Sequence, residues 1–228
     1  MNFLALDTSS NACSVALRFD GQTSERYAVE PKEHTRLLLP MIREILDAAG
    51  ATLARLDAVI LGNGPGSFIG LRIAASVAQG LAFAAGLKIV PVSSLAAVAA
   101  ECMLTDGAAN VAVAQDARMG EVYLGLFSAG SDGLPAAVAK EVLHGSAPIP
   151  QLVQGHWTAA GSGWQRYPAL REANRDRLSA ISEVALPRAN YLLGCGAVAW
   201  RAGASIEPAE LVPAYLRMKV AEKPAVEP

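Results

Sequence analysis

Short alternating runs dominate the first thirty residues. Residues 3–6 are apolar and end at Asp7, and residues 13–19 and 23–29 flank an Asp20-Gly21 turn. Period-two alternation around a turn dipeptide predicts antiparallel hairpins at the start of the chain. The period then changes. Leu37, Leu38, Met41, Ile42, Ile45 and Leu46 recur at helical spacing over 35–49, with Gly50 at the C-terminal cap position and Pro40 near the first turns, where proline is best tolerated. A buried-type strand over 57–61 leads into the loop GNGPGSFIG and a long helix that ends at Ala85 before Gly86. Lys88–Val92 reads as a strand, and 94–104 as a helix capped by Ser93 or Ser94.

A polar, glycine-containing break at 105–109 is the candidate domain boundary, dividing the chain into 1–105 and 106–228. Beyond it the opening pattern returns. LALDTSSNACSVALRFDG and VAQDARMGEVYLGLFSAG each run from a short apolar strand to an acid, a small-residue turn and an alternating strand. Identity is low, but the shared pattern predicts two related halves that open with the same hairpin. Further on, 148–153 and Trp157–Ala160 read as apolar segments before the loop GSGW, and Ala189–Arg201 as an amphipathic helix. The Pro- and charge-rich tail from about residue 220 is expected to fray.

The helix Phe68–Ala85 is apolar nearly all round, with small residues at Gly70, Ala74, Ala75, Ala78 and Ala82. Such a helix is buried on most sides. It is either a central core helix, or it has one face on the core and the other on a partner protein. Arg72, Ser76 and Gln79 interrupt it, which favours a soluble helix over a membrane span.

Composition narrows the function. Of 228 residues 52% are hydrophobic and 18% charged, a balance that fits a folded globular protein. The net charge of −2 lacks the basic surplus of a free-standing nucleic-acid binder. Cys13, Cys102 and Cys195 are too far apart for a disulfide framework or zinc knuckle and read as buried thiols. The N-terminus lacks the basic region of a signal peptide, so a cytoplasmic location is expected.

Asp7, Thr8 and Ser9 follow the first strand, and Asp116 holds the equivalent place in the second half. A carboxylate beside hydroxyls and turn N–H groups can hold phosphate and hydrated Mg²⁺, so two such turns could clamp a nucleotide. They equally fit two ordinary hairpin turns. The loop Gly64, Pro65, Gly66, Ser67 precedes a helix but lacks the G-K-[ST] ending of a phosphate loop, and reads better as a shaped structural turn. Ser67 does not sit in G-x-S-x-G. His34, His144 and His156 each stand alone, with His34 read as a surface or capping residue, and no metal site is expected.

LALDTSS, EHTRLLLP, GPGSFIGLRIAAS, PVSSL, DARMGEVY and PAYLR occur in this order along almost the whole chain. Together they resemble the bacterial TsaB family, GPGSF-x-GLR being the most specific piece. The resemblance implies an α/β fold of two actin-like (ribonuclease H-like) domains, each a mixed sheet flanked by helices. It implies a non-catalytic subunit supporting TsaD, which transfers threonylcarbamoyl from its adenylate to N6 of the adenosine beside the anticodon in tRNAs reading codons that start with A. TsaD binds as a heterodimer, TsaE joins the pair, tRNA is met indirectly, and ATP and metal belong to those partners. TsaD's metal comes from a helical histidine pair, whereas here His34 is followed by Thr35, Arg36, Leu37, Leu38 and Leu39. The partner surface falls on the helices at 35–49 and Phe68–Ala85, with Leu38, Ile42, Leu71, Ala74, Ala75, Ala78, Leu81 and Ala82 as expected contacts. Left uncovered, such a face predicts a homodimer of the chain alone. The family usually has Thr at Ile69 and often Gly at Ala74, and GSGW is a poor match to an adenosine pocket. A stand-alone Mg-ATP-dependent kinase or ATPase using Asp7, Thr8 and Asp116 is the alternative, although no base or lysine clamp appears. A peptidase would need a metal or nucleophile pair that the sequence does not offer.

Overall fold

The computed structural model describes residues 1–145 and 151–217. Asp20 and Gly21, with φ of 47° and 82°, make the tight turn that the alternating pattern requires. Around it, β1 (Phe3–Asp7), β2 (Ala12–Phe19) and β3 (Gln22–Val29) form an antiparallel unit with Ala5 opposite Ala16 and Leu17 opposite Ser24. The chain crosses through α1 (His34–Ala48) to β4 (Ala58–Gly62) and through α2 (Phe68–Ala85) to β5 (Lys88–Val92). β4 runs parallel to β1 and β5 parallel to β4, giving the order β3-β2-β1-β4-β5.

After α3 (Ser94–Asp106), whose cap Ser93 accepts from Leu95 N and Ala96 N, the plan repeats. β6 (Asn110–Arg118) and β7 (Glu121–Ala129) form the hairpin, and β8 (Pro135–Ala137) and β9 (Val142–Gly145) both pair with β7. β10 (Trp157–Ala160) lies parallel to β6. α4 (Ser162–Arg166) and α5 (Pro168–Ala173) lead to β11 (Leu178–Ile181), parallel to β10, and α6 (Ala189–Arg201) follows. The order β11-β10-β6-β7-β8 mirrors the first sheet. The weak sequence repeat is therefore a repeat of topology. Of the segment expected over 148–153, residues 146–150 lie outside the described residues and 151–153 form no strand; the tail from 220 also lies outside them.

The layers run helix, sheet, helices, sheet, helix. Leu4, Leu6, Val15, Val59 and Leu61 point one way, into a core with Leu38, Ile42 and Ile45 of α1 and Ala74, Ala78 and Ala82 of α2. Phe3, Ala5, Ala16 and Ile60 point the other way, against Leu192, Leu193 and Ala197 of α6. α3 packs on α6 and on β6 and β7, and Trp164 and Leu170 cover the far face of the second sheet. The division at 105/106 thus separates the strands of the two sheets but not their helices, because α6 returns to the first sheet. Arg188, ahead of α6, reaches Glu25 on β3 at 2.5 Å, and Ala189 N donates to Ser14 Oγ at 2.8 Å.

α2 requires a correction. Leu71, Ala74, Ala75, Ala78 and Ala82, expected at a partner surface, are buried against the chain's own sheet, as are Leu38 and Ile42 of α1; Leu81 is half-buried. Small side chains let α2 lie close to β1 and β4, so they mark the inward seam. The outward face is mixed: Ile69 is 70% and Phe83 83% exposed, and Gly80 and Ala84 are exposed with them, but Arg72 and Ser76 share that face, while Ile73 and Val77 are half-buried against the core. By length and composition α2 alone among the described residues could cross a membrane; here it packs on a sheet. Burial pushes the Cys13 thiol up to about 12 and those of Cys102 and Cys195 up to about 11.

Candidate functional site

β1 ends at Asp7, and the turn after it carries Thr8 and Ser9, all three buried. Ser9 N and Ser9 Oγ donate to Asp7 Oδ1 at 2.8 and 2.7 Å, and Ser94 Oγ, at the start of α3, donates to Oδ2 at 2.7 Å. Burial pushes the Asp7 carboxyl above its ordinary value, and the hydrogen bonds from Ser94 and Ser9 work against that shift. Thr8 Oγ1 donates to the Gly70 carbonyl at 2.6 Å. The glycine-rich loop closes over the turn: Ser67 N donates to the Ser9 carbonyl at 2.6 Å, and a β-carbon on Gly66 or Gly70 would overlap the carbonyl of Ser9 or Thr8. Gly64, joined to Pro65 by a cis peptide, exchanges hydrogen bonds with Ser94, while Ser67 caps α2 by accepting from Gly70 N at 3.2 Å. The loop packs against the turn beside Asp7, and its residues Pro65, Gly66 and Ser67 also line the cleft between the lobes.

Asp116 stands at the matching place on β6 and stays near the surface. Its Oδ1 accepts from Arg118 N and Tyr167 Oη, both at 2.8 Å, and Arg118 Nη1 lies 3.5 Å from Oδ2. Arg118, Met119 and Gly120 make the β6–β7 turn in left-handed conformation. The two turns face each other across a cleft of about 740 Å³, lined among others by Ser9, Ser10, Asn11, Asp116, Arg118 and Ser162. Arg118 Nη2 donates across it to Asn11 Oδ1 at 3.2 Å. The GSGW segment serves packing, since Trp164 Nε1 donates to the Ala112 carbonyl at 2.9 Å and Ser162 Oγ to Gln115 Oε1 at 2.7 Å.

His34 also departs from its sequence reading. It is buried at the start of α1, and its Nε2 donates to the Ser10 carbonyl at 3.0 Å, tying α1 to the first turn. Among the described residues no group of three or more His, Cys, Asp and Glu is placed to share a metal. Residue-type reasoning missed Ser94, Arg118 and Arg217, although PVSSL, DARMG and PAYLR had drawn attention to their surroundings.

Two α/β lobes of repeated topology, with matching acid-bearing turns across a cleft, define an actin-like protein. Residues 28–225 match the family model described as TsaD, tRNA N6-adenosine threonylcarbamoyltransferase. The tRNA threonylcarbamoyladenosine biosynthesis protein TsaB of Escherichia coli (strain K12) is 37% identical, over 98% of this chain and 97% of that protein. TsaB of Haemophilus influenzae is 38% identical, over 98% and 96%. The solved structure of YeaZ from Pseudomonas aeruginosa superposes with a TM-score of 0.87 at 39% identity, covering 94% of this chain and 99% of that one. The chain belongs to the TsaB (YeaZ) family.

Proposed function

We propose that this chain is the non-catalytic subunit of the complex that transfers threonylcarbamoyl from threonylcarbamoyl-AMP to N6 of the adenosine beside the anticodon, in tRNAs reading codons that start with A. It supports TsaD through a heterodimer that TsaE joins, works in the cytoplasm, meets tRNA through its partners, and leaves ATP and metal to them. Family membership supports a role in tRNA threonylcarbamoyladenosine biosynthesis. The subunit role is supported above all by the outward face of α2, where Ile69 and Phe83 are 70% and 83% exposed beside Gly80 and Ala84, with Arg72 and Ser76 as the polar positions on that face. In isolation the same face serves a symmetric homodimer.

The stand-alone kinase reading fares worse. A magnesium ion or phosphate at Asp7 would have to displace Ser9 and Ser94 from a carboxylate already holding three hydrogen bonds. To test the assignment, Phe83→Asp and Ile69→Asp are titrated into TsaD by calorimetry. Both variants are expected to fold as the parent does and to lose association. Parent-like affinity in both would sink the interface.

A further inference from the structure

We propose that residues 212–217 form a latch that holds the two lobes closed across the cleft. The segment leaves the first lobe's core at Leu211, which is buried with α1 and α2. Asn63, just after β4, grips it twice: Asn63 Nδ2 donates to the Val212 carbonyl at 3.1 Å, and Ala214 N donates to the Asn63 carbonyl at 3.2 Å. Tyr215 then lies on α2. Its ring centroid is 5.2 Å from that of Phe68, and its hydroxyl accepts from Arg72 Nε at 3.0 Å. The Arg72 guanidinium stacks 3.8 Å from the Phe68 centroid, so Tyr215, Arg72 and Phe68 make one interlocked anchor.

One residue further the chain has changed lobes. Leu216 packs against the core of α3, β6 and β7. Arg217 Nη2 donates to the Ala117 carbonyl at 2.7 Å and is ion-paired with Glu121, while Nη1 reaches Met119 Sδ. The Arg217 side chain is only 12% accessible, so its bonds to Ala117 and Glu121 are partly shielded from water and salt, while the contact with Met119 lies at the surface. The partners of Arg217, which include the Arg118 carbonyl at 3.5 Å, frame the β6–β7 turn that carries Asp116 and Arg118 to the cleft. Six residues therefore tie the N-terminal end of α2 to the opposite wall. The Arg118–Asn11 hydrogen bond spans the same gap but is exposed. Behind the cleft the sheets are joined through the packed pair α3 and α6, which leaves that pair as the axis about which the lobes part once the front tie is undone.

Hydrogen exchange with mass spectrometry on the full chain tests this. In Arg217→Ala the amides of the two facing turns, 9–11 and 117–120, are expected to exchange about tenfold faster, as loss of a charge-assisted bond to a backbone carbonyl implies. Amides of β1 and of 110–114 should keep their protection. Unchanged exchange at both turns would overturn the latch. Should Arg217→Ala loosen the whole molecule, Arg217→Lys and Glu121→Gln decide: a rise confined to the turns supports the latch, and a uniform rise overturns it, because Arg217 would then belong to the fold at large.

Discussion

Thr8 and Gly70 are locked together from both sides. The Thr8 hydroxyl donates to the Gly70 carbonyl at 2.6 Å, and the Thr8 carbonyl occupies the space that a β-carbon on Gly70 would need. A side chain at position 70 would push β1 away from α2, whereas a change at Thr8 removes the hydrogen bond alone. Gly70→Ala should therefore cost at least about 3 kcal/mol or prevent folding, since backbone faces the added methyl. Thr8→Val, which removes only the hydrogen bond, should cost about 1–2 kcal/mol. Denaturant titration measures both.

Mg-ATP is expected to produce no saturable heat when titrated into the isolated chain. Asp7 is buried and both its oxygens accept hydrogen bonds from Ser9 and Ser94, so a cation would have to displace those hydroxyls to reach it. Micromolar binding abolished by Asp7→Asn would revive the kinase alternative.

The two sides of α2 should respond differently to one kind of change. Ala78→Arg buries an unpaired guanidinium beneath the helix and should cost more than about 3 kcal/mol. Ala84→Arg lies on the outward stripe and should stay within about 0.5 kcal/mol of the parent while weakening self-association. Thermal melting paired with sedimentation separates these outcomes.

Glu101 should make stability depend on pH. It sits on α3 with its side chain 12% accessible, 3.8 Å from Arg188 Nη1 and near Glu25 and Asp106. Burial pushes its carboxyl up from 4.5 to about 7; Arg188 opposes that rise, and Glu25 and Asp106 add to it. An acid whose folded pKa exceeds its unfolded one holds an extra proton in the folded state. Its contribution is therefore complete below about 4.5 and lost as pH rises through about 7. Glu101→Gln should be more stable than the parent by about 1 kcal/mol near pH 8, and the gap should close in acid.

Local pattern carried the elements well and their neighbours poorly. Phe68–Ala85, Lys88–Val92, Trp157–Ala160 and Ala189–Arg201 have the boundaries read from the sequence, because period, capping serines and stop glycines are properties of adjacent residues. The seam of α2 was not legible. Ala74, Ala78 and Ala82 face the sheet while Ile69 and Phe83 face out, and hydrophobicity alone cannot rank the two sides. Small residues next to a sheet are the usable signal for the seam; the pattern alone leaves core and partner faces open, and only the family resemblance places Ala74, Ala78 and Ala82 at a partner. His34 looked like a capping residue because its partner, the Ser10 carbonyl, lies in the first turn rather than on its own helix. The acids at strand ends were found at Asp7 and Asp116, but the hydroxyl that saturates Asp7 comes from Ser94, across the lobe.

Because α6 supplies the inner cover of the first sheet, the order of synthesis matters. Phe3, Ala5 and Ile60 leave the ribosome long before Leu192 and Leu193, the residues that shelter them. During that interval one face of the earliest strands is naked oil, open to chaperones or to misassembly. The first half to be made is among the last to be finished, and a nascent chain stalled before residue 189 presents a half-clothed sheet rather than a completed lobe.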